Sequence, residues 1–348
     1  MNKKKIIFAI LLIFGMQSFA QNYNQTLGQT TEGVNTITTS VPFLMIAPDA
    51  RAGAMGDAGV ASTPDANSQH WNAAKYAFIE EDLGFSVSYS PWLRALVNDI
   101  YLAYLSGYKK IGRDQAISAS LLFFSLGEIN FTDKTGESLG SFSPNEFSVD
   151  FAYSRKFTDN LSGAVSLRYI YSNLTGGIFV GGAQSKPGQA IATDISVYYR
   201  KEFEMGGQDA LFAFGTSISN IGNKISYTET TERDFIPINL RLGPSLTIDL
   251  DKYNSISVMF DMNKLLVPTP PIWDRNDSTG QPILGTDGKY LIAKGKDPSR
   301  GVVSGMFGSF NDAPGGTKEE FREIAFSIGM EYWYDKQFAI RAGYFHER

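Results

Sequence analysis

Residues 146–157 read EFSVDFAYSRKF. Phe147, Val149, Phe151 and Tyr153 fall on one side of an extended chain, and Ser148, Asp150, Ala152 and Ser154 on the other. That period-two alternation is the signature of a β-strand with one apolar and one polar face. After Thr158-Asp159-Asn160 the pattern resumes in LSGAVSLRYIYSNL, where Leu161, Val165, Leu167, Tyr169 and Tyr171 oppose Ser162, Ala164, Ser166 and Arg168. From Ile236 to Leu250, Ile238, Leu240, Leu242, Leu246 and Ile248 oppose Asn239, Arg241, Ser245, Thr247 and Asp249.

The same test along the chain predicts about eleven strands, at 82–90, 99–109, 115–126, 146–157, 161–174, 190–203, 210–221, 236–250, 255–265, 321–333 and 337–346. Strands of soluble domains run about 5 or 6 residues. A tilted strand that crosses a bilayer needs about 9 to 11, the length class seen here. The connections alternate. KKIGRD (109–114), TDN (158–160), EMGG (204–207), DLDKYN (249–254) and YDKQ (334–337) are tight and polar, and 127–145, 175–189, 222–235 and 265–320 are long. Short turns at one end and long loops at the other is the outer-membrane barrel pattern, with the short turns periplasmic. A secreted β-sandwich also alternates. Strand length, turn asymmetry and the aromatics at strand ends (Tyr89, Trp92, Tyr169, Tyr171, Tyr332, Trp333, Tyr334) favour the barrel and its interfacial girdles.

The N-terminus agrees. Lys3 to Lys5 precede a short apolar run, Ile6 to Met16, and Ser18-Phe19-Ala20 ends in a small residue, which reads as a secretory signal peptide over 1–20 with Gln21 as the first mature residue. The alternative, a membrane anchor, needs a longer apolar run. No other stretch holds 18 consecutive apolar residues. The chain has no cysteine, which excludes disulfides, thiolate metal sites and a lipid anchor on cysteine. Aromatics make up 13% and charged residues only 19%, a composition suited to an exported barrel. The formal charge of −5 falls to about −8 without the leader, and no basic run occurs, so nucleic acid is excluded as a partner.

The last residues, FAIRAGYFHER, read as a strand with no turn or partner after it. Eleven is an odd number, and single-chain bacterial barrels use even ones. An unclosed sheet in lipid leaves unpaired backbone groups. The expectation is that the natural protein continues past Arg348 with further strands.

Residues 48–78, PDARAGAMGDAGVASTPDANSQHWNAAKYAF, carry a recognisable signature. Ala50-Arg51-Ala52-Gly53, Met55-Gly56, Gly59, Asp65-Ala66 and Trp71-Asn72 resemble the N-terminal motif of FadL-like outer-membrane barrels. The stretch looks most like the PorV (LptO) family of the type IX secretion system of Bacteroidetes. The superfamily's Asn-Pro-Ala is Asn72-Ala73-Ala74 here, a departure that weakens a generic fatty-acid-transporter reading. SYSPWL, NFTDKTGE and AIRAGYFHE extend the likeness over most of the chain. The resemblance implies an all-β, FadL-like antiparallel transmembrane barrel of about fourteen strands, located in the outer membrane. On this reading the signal peptide is followed by an N-terminal segment at 21–81 and the barrel at 82–348. The segment is rich in Gly and Ala, which permits close backbone packing. Arg51, Gly53, Gly56, Gly59, Trp71 and Asn72 are then residues of a plug or hatch in the lumen, or else of an ordered periplasmic tail. The spacing of the three glycines is G-x-x-G-x-x-G with no strand before it, so it is not a dinucleotide fingerprint.

Little in the chain suggests catalysis. The two histidines, His70 and His346, have no readable carboxylate partners for a zinc site. No G-x-S-x-G elbow occurs. The family is linked by name to lipopolysaccharide deacylation, and no nucleophile–base pair supports that here. Asp274 to Gly280 faintly resembles a calcium loop, but its twelfth position is Gly285 rather than glutamate. No cofactor is expected. The inward faces carry mixed charge (Asp150, Arg168, Asp194, Arg200, Arg241, Asp249, Asp261, Glu323, Glu331, Arg341), which predicts internal salt bridges and a filled lumen rather than an open pore.

The loop 265–320 is far longer than ordinary connections, and such loops are functional or disordered. Pro268, Pro270, Pro271 and Trp273 open it, and Met306, Phe307 and Phe310 lie in the apolar VVSGMFGSF. These seven residues are the candidate partner surface, the alternative being a loop folded over its own barrel mouth. The resemblance implies a non-enzymatic component that binds the C-terminal signal domain of cargo at a large outer-membrane translocon pore and passes it to attachment-complex proteins, with outer-membrane lipid as a further partner. The other reading is a FadL-like transporter of small hydrophobic molecules. Its weakness is an inner face expected to be small and charged rather than aliphatic.

Overall fold

The computed structural model describes residues 36–347, apart from 93–96, 98, 133–136, 178, 181–182, 229–232, 277–279 and 287. The leader at 1–20 and residues 21–35 lie outside the described residues.

Eleven long strands form one antiparallel sheet in chain order. They are β1 (Leu83–Pro91), β2 (Ile100–Lys110), β3 (Gln115–Leu126), β4 (Asn145–Lys156), β5 (Leu161–Asn173), β6 (Gly188–Met205), β7 (Gln208–Gly222), β8 (Asn239–Asp249), β9 (Asn254–Leu265), β10 (Ile324–Tyr334) and β11 (Phe338–His346). The period-two segments and these strands agree to within a few residues. Among the described residues no helix is long and apolar enough to cross a membrane. Strand spans of the observed length are what crossing by β-structure requires.

The faces are sorted inside out relative to a soluble protein. Phe85, Val87, Phe151, Val165, Leu167 and Ile191 point outward and are exposed, whereas Ser106, Ser120, Ser148, Ser154, Ser162 and Ser166 are buried. Lipid on the outside removes the drive to bury apolar groups inward, and small hydroxyls let other backbone approach the wall. Tight turns close the short end. Asp335 and Lys336 both have positive φ, as do Gly206 and Gly207, the conformation of two-residue hairpin loops.

Two strand limits need correction. Residues 236–238 alternate but are not strand: Pro237 has no N–H for the ladder, and its carbonyl instead accepts from Asn220 Nδ2 at 2.8 Å. Residues 321–323 belong to the helical turn Thr317–Arg322 and its end. Asp249, expected inward, is exposed at the short-turn end.

The described part of the N-terminal segment lies against the inner face of the sheet. Ser106 Oγ donates to Ala66 O at 2.8 Å, Ser162 Oγ to Ala74 O at 2.7 Å and Ser245 Oγ to Ala61 O at 2.6 Å. Those hydroxyls come from β2, β5 and β8, so the wall curves around the segment. The interior is not uniformly polar. Toward the long loops, Phe43, Leu44, Leu102, Ile170, Ile236 and Leu266 form an apolar core, correcting the expectation of an inner face that is small and charged throughout.

Candidate functional site

The inner segment is organised around carboxylates. Asp49 caps the turn Ala50–Gly53 by accepting from Ala52 N–H at 2.9 Å, and its second oxygen accepts from Trp71 Nε1 at 2.7 Å. This capping side chain fixes the indole and starts the turn that carries Arg51. The Arg51 guanidinium donates to both oxygens of Glu331 on β10, at 3.0 and 2.7 Å. It also donates to Asp65 Oδ2 at 2.8 Å and to Thr63 at 3.1 Å (main chain) and 2.7 Å (hydroxyl). On β9, Asp261 accepts from the N–H groups of Gly59 and Val60 at 2.7 and 2.9 Å. Asn72 Nδ2 donates to Val60 O and to Val197 O on β6, both at 3.0 Å.

The signature glycines divide by what surrounds them. Gly56 has φ +68, and a Cβ there would lie 2.7 Å from the Tyr344 backbone on β11. A Cβ on Gly59 would lie 2.5 Å from the Trp71 ring. A Cβ on Gly53 would meet nothing within 4 Å. The wall has matching glycines that the sequence pattern did not reveal. A Cβ on Gly215 would sit 2.1 Å from Val60 O, and one on Gly343 would sit 2.0 Å from the Met55 backbone. Segment and wall are therefore in backbone contact at these points, a fit only glycine allows.

Lys75 was also missed, although a lysine inside AAKYAF is a visible anomaly. It is fully buried and donates to Gly59 O and Ser62 Oγ, both at 2.9 Å. Burial pushes its ammonium down to about 8. His70 packs edge-on against Trp71, with ring centroids 4.8 Å apart, and His346 stacks with Tyr344. Among the described residues no group of three His, Asp or Glu is placed to hold a metal. The charged wall forms internal pairs. Arg168 bonds Asp150 and Asn220 and lies 3.0 Å from Asp194. Arg341 shares Glu331 with Arg51. On the long-loop side of the segment remains a cavity of about 520 Å³, lined by Met45, Ile46, Trp71, Arg241, Asn263 and Leu265 among others.

The long connection between β9 and β10 is folded. It contains a two-stranded ribbon of Ile272–Trp273 with Ile292–Lys294 and two short helices, Val302–Gly308 and Thr317–Arg322. Lys264, at the end of β9, anchors it by donating to Glu320 Oε2 at 3.0 Å and Glu323 Oε2 at 2.7 Å. Thr269 Oγ1 donates to the other oxygen of Glu323 at 2.7 Å, and the N–H groups of Asp312 and Ala313 donate to Glu320 Oε1 at 2.7 and 2.9 Å. Each buried carboxylate thus has its acceptor capacity used, the condition under which buried charge is tolerated.

This architecture separates the seven candidate partner residues. Pro268 and Pro271 are buried in the cap and cannot present a contact surface, a correction to their reading as docking residues. Pro270 is half-buried, Trp273 packs edge-on against Tyr290, and Met306 is half-buried against the apolar core. Phe307 and Phe310 are exposed, at 76% and 50%, and Val303, one turn before Phe307, is 64% exposed.

The family model of the type IX secretion system protein PorV matches residues 29–272. A search of curated proteins gives no match. Similar solved structures include the Pseudomonas putida toluene transporter TodX, at 12% identity and a TM-score of 0.43, over 85% of this chain and 82% of that one. The CymD monoaromatic hydrocarbon channel is similar at 12% identity and a TM-score of 0.39, over 84% of this chain and 81% of that one.

Proposed function

We propose that this chain, which belongs to the family of the type IX secretion system protein PorV, is a non-enzymatic outer-membrane component of that system. It receives the C-terminal signal domain of a cargo protein at the translocon pore and carries it to the attachment machinery on the cell surface. The inner segment acts as a plug, so cargo crosses through the separate pore and meets this protein outside. The observation that carries the reading is the folded cap, which turns Val303 and Phe307 outward from one face of a helix whose other side, at Gly305 and Met306, packs on Phe235 and the core. Exposed aromatics on a rigid element are the residues that anchor interfaces.

The test is a double substitution, Val303→Asp with Phe307→Asp. Both side chains are exposed, so the barrel and cap assemble as before. Cargo co-purification and surface attachment are expected to fall to background. Normal secretion by this variant refutes the reading. A deletion of 268–310 is less informative, because it removes Pro268 and Pro271 from the packed base of the cap.

One observation favours uptake of small hydrophobic molecules as a second reading. The cavity of about 520 Å³ has the size of a ligand site and is partly apolar. Detergent or fatty acid recovered from the lumen of the purified protein supports it, and an empty lumen in protein that still secretes cargo removes it.

A further inference from the structure

A second apolar hollow lies on the outer side of the wall, beneath the cap. Its back is formed by outward side chains of three neighbouring strands. Leu240 on β8 stands opposite Lys264 on β9, which stands opposite Ile324 on β10, and Leu242 stands opposite Met262 in the next row. Its front is formed by the cap, through Phe310 and Phe321. The hollow measures about 280 Å³ and is lined almost entirely by carbon.

Its position indicates what fills it. Along the same outward rows, toward the short-turn end, come Phe260 and Phe326, stacked at 5.9 Å, and then the exposed Val258 and Ile328. Those rows are the lipid-facing surface of the barrel, so the hollow continues the hydrocarbon contact upward behind a lip of protein. Lys264 is a lysine on the outward row, where charge is tolerated only near the membrane interface. Its neutralisation by Glu320 and Glu323 marks the upper limit of the apolar zone. Phe321 is 67% exposed on the outer edge of the lip, placed to enter the lipid itself.

We infer that this hollow is a binding site for one acyl chain of an outer-leaflet lipid, held between the barrel wall and the Phe310–Phe321 lip. The occupant follows from continuity with the membrane-facing surface and from a largely apolar lining whose two charged side chains, Lys264 and Glu320, are paired with each other. A bound lipid makes the cap's outer edge part of the membrane boundary. The inference rests on the barrel fold and is independent of the cargo reading.

Native mass spectrometry of the full-length protein, stripped by prolonged detergent exchange and reloaded with dioleoylphosphatidylglycerol, tests the site. Wild type is expected to retain one lipid. Leu242→Trp fills the groove from the wall, and Phe321→Ala removes its outer lip. Each is expected to retain roughly tenfold less, the effect of losing burial of about two methylenes. Ile328→Trp, on the open wall below, retains as much as wild type. Phe321 is a surface residue, so its removal keeps the test valid even where Leu242→Trp fails to fold, and heat-modifiable gel mobility reports folding in each case. Absence of retained lipid in wild type, or equal retention by wild type and Phe321→Ala, overturns the inference.

Discussion

Arg51 and Glu331 stand 280 residues apart in the chain and are joined by two hydrogen bonds, at 3.0 and 2.7 Å. The pair ties the inner segment to β10. Glu331 keeps Arg341 as a second partner, whereas Asp65 loses its direct ion pair and retains only the more distant field of Lys75. Arg51→Ala is therefore expected to cost about 3 kcal/mol, within the range for breaking a buried ion pair. Limited proteolysis of the folded barrel should show the segment 36–81 becoming cleavable while the wall keeps its heat-modifiable mobility. A variant as resistant as wild type contradicts this.

The glycine contacts predict a graded series. Gly53→Ala meets open space and should leave stability within about 0.5 kcal/mol of wild type, as for other substitutions outside tight packing. Gly215→Ala and Gly343→Ala place a Cβ about 2 Å from backbone atoms of the segment. Overpacking of that kind costs about 1–3 kcal/mol. Chemical denaturation of the three variants in detergent checks the order, and a Gly53 variant as damaged as the others removes the argument.

Lys75 gives a pH dependence with a definite sign. Its ammonium titrates near 10.5 in the unfolded chain and near 8 when buried. Between those values the unfolded state binds more protons, so stability rises with pH across about 8 to 10.5 and the contribution is flat below. The slope is at most about 1.4 kcal/mol per pH unit. Unfolding midpoints for wild type and Lys75→Met over that window should differ by this slope, and parallel curves for the two proteins count against the assignment.

Lys264 joins the base of the cap to the wall. Lys264→Met removes the cation paired with Glu320 and Glu323 and is expected to loosen the two helices of the cap, at a cost of about 3–5 kcal/mol. Hydrogen exchange of the helices Val302–Gly308 and Thr317–Arg322 reads the release directly. Adding Glu323→Gln to Lys264→Met lowers the unpaired charge and should recover part of the protection. Unchanged exchange in the single variant rejects the anchor role.

The wall was legible because period two is a local signal, repeated eleven times with turn chemistry between. It failed where alternation ran on into residues that cannot pair, as at Pro237, or where an apolar side chain belongs to a helix, as at Phe321. The inner segment was legible as a signature and not as a set of contacts. Its partners, Gly215, Asp261, Glu331 and Gly343, are scattered over the chain, and no periodicity links them. Two of its own residues did leave signals: Asp49 stands at a helix N-cap position, and Lys75 interrupts an apolar run. In the cap, proline and aromatic content identified a special loop. Which of those residues point outward depends on contacts distant in the chain, Gly305 against Phe235 and Lys264 with Glu320 and Glu323, that no local pattern marks.

The close fit of Met55 and Gly56 against Gly343 and Tyr344 also bears on the order of assembly. The segment precedes β11 by most of the wall, yet their backbones touch. Contacts of such long sequence separation form slowly, because the intervening chain must be ordered before they repay its entropy. The segment can thus act as a mandrel. A wall that curves around it finds the path of β10 and β11 already set by the Met55 turn, and a wall that forms without it must later admit a backbone through gaps only as wide as glycine.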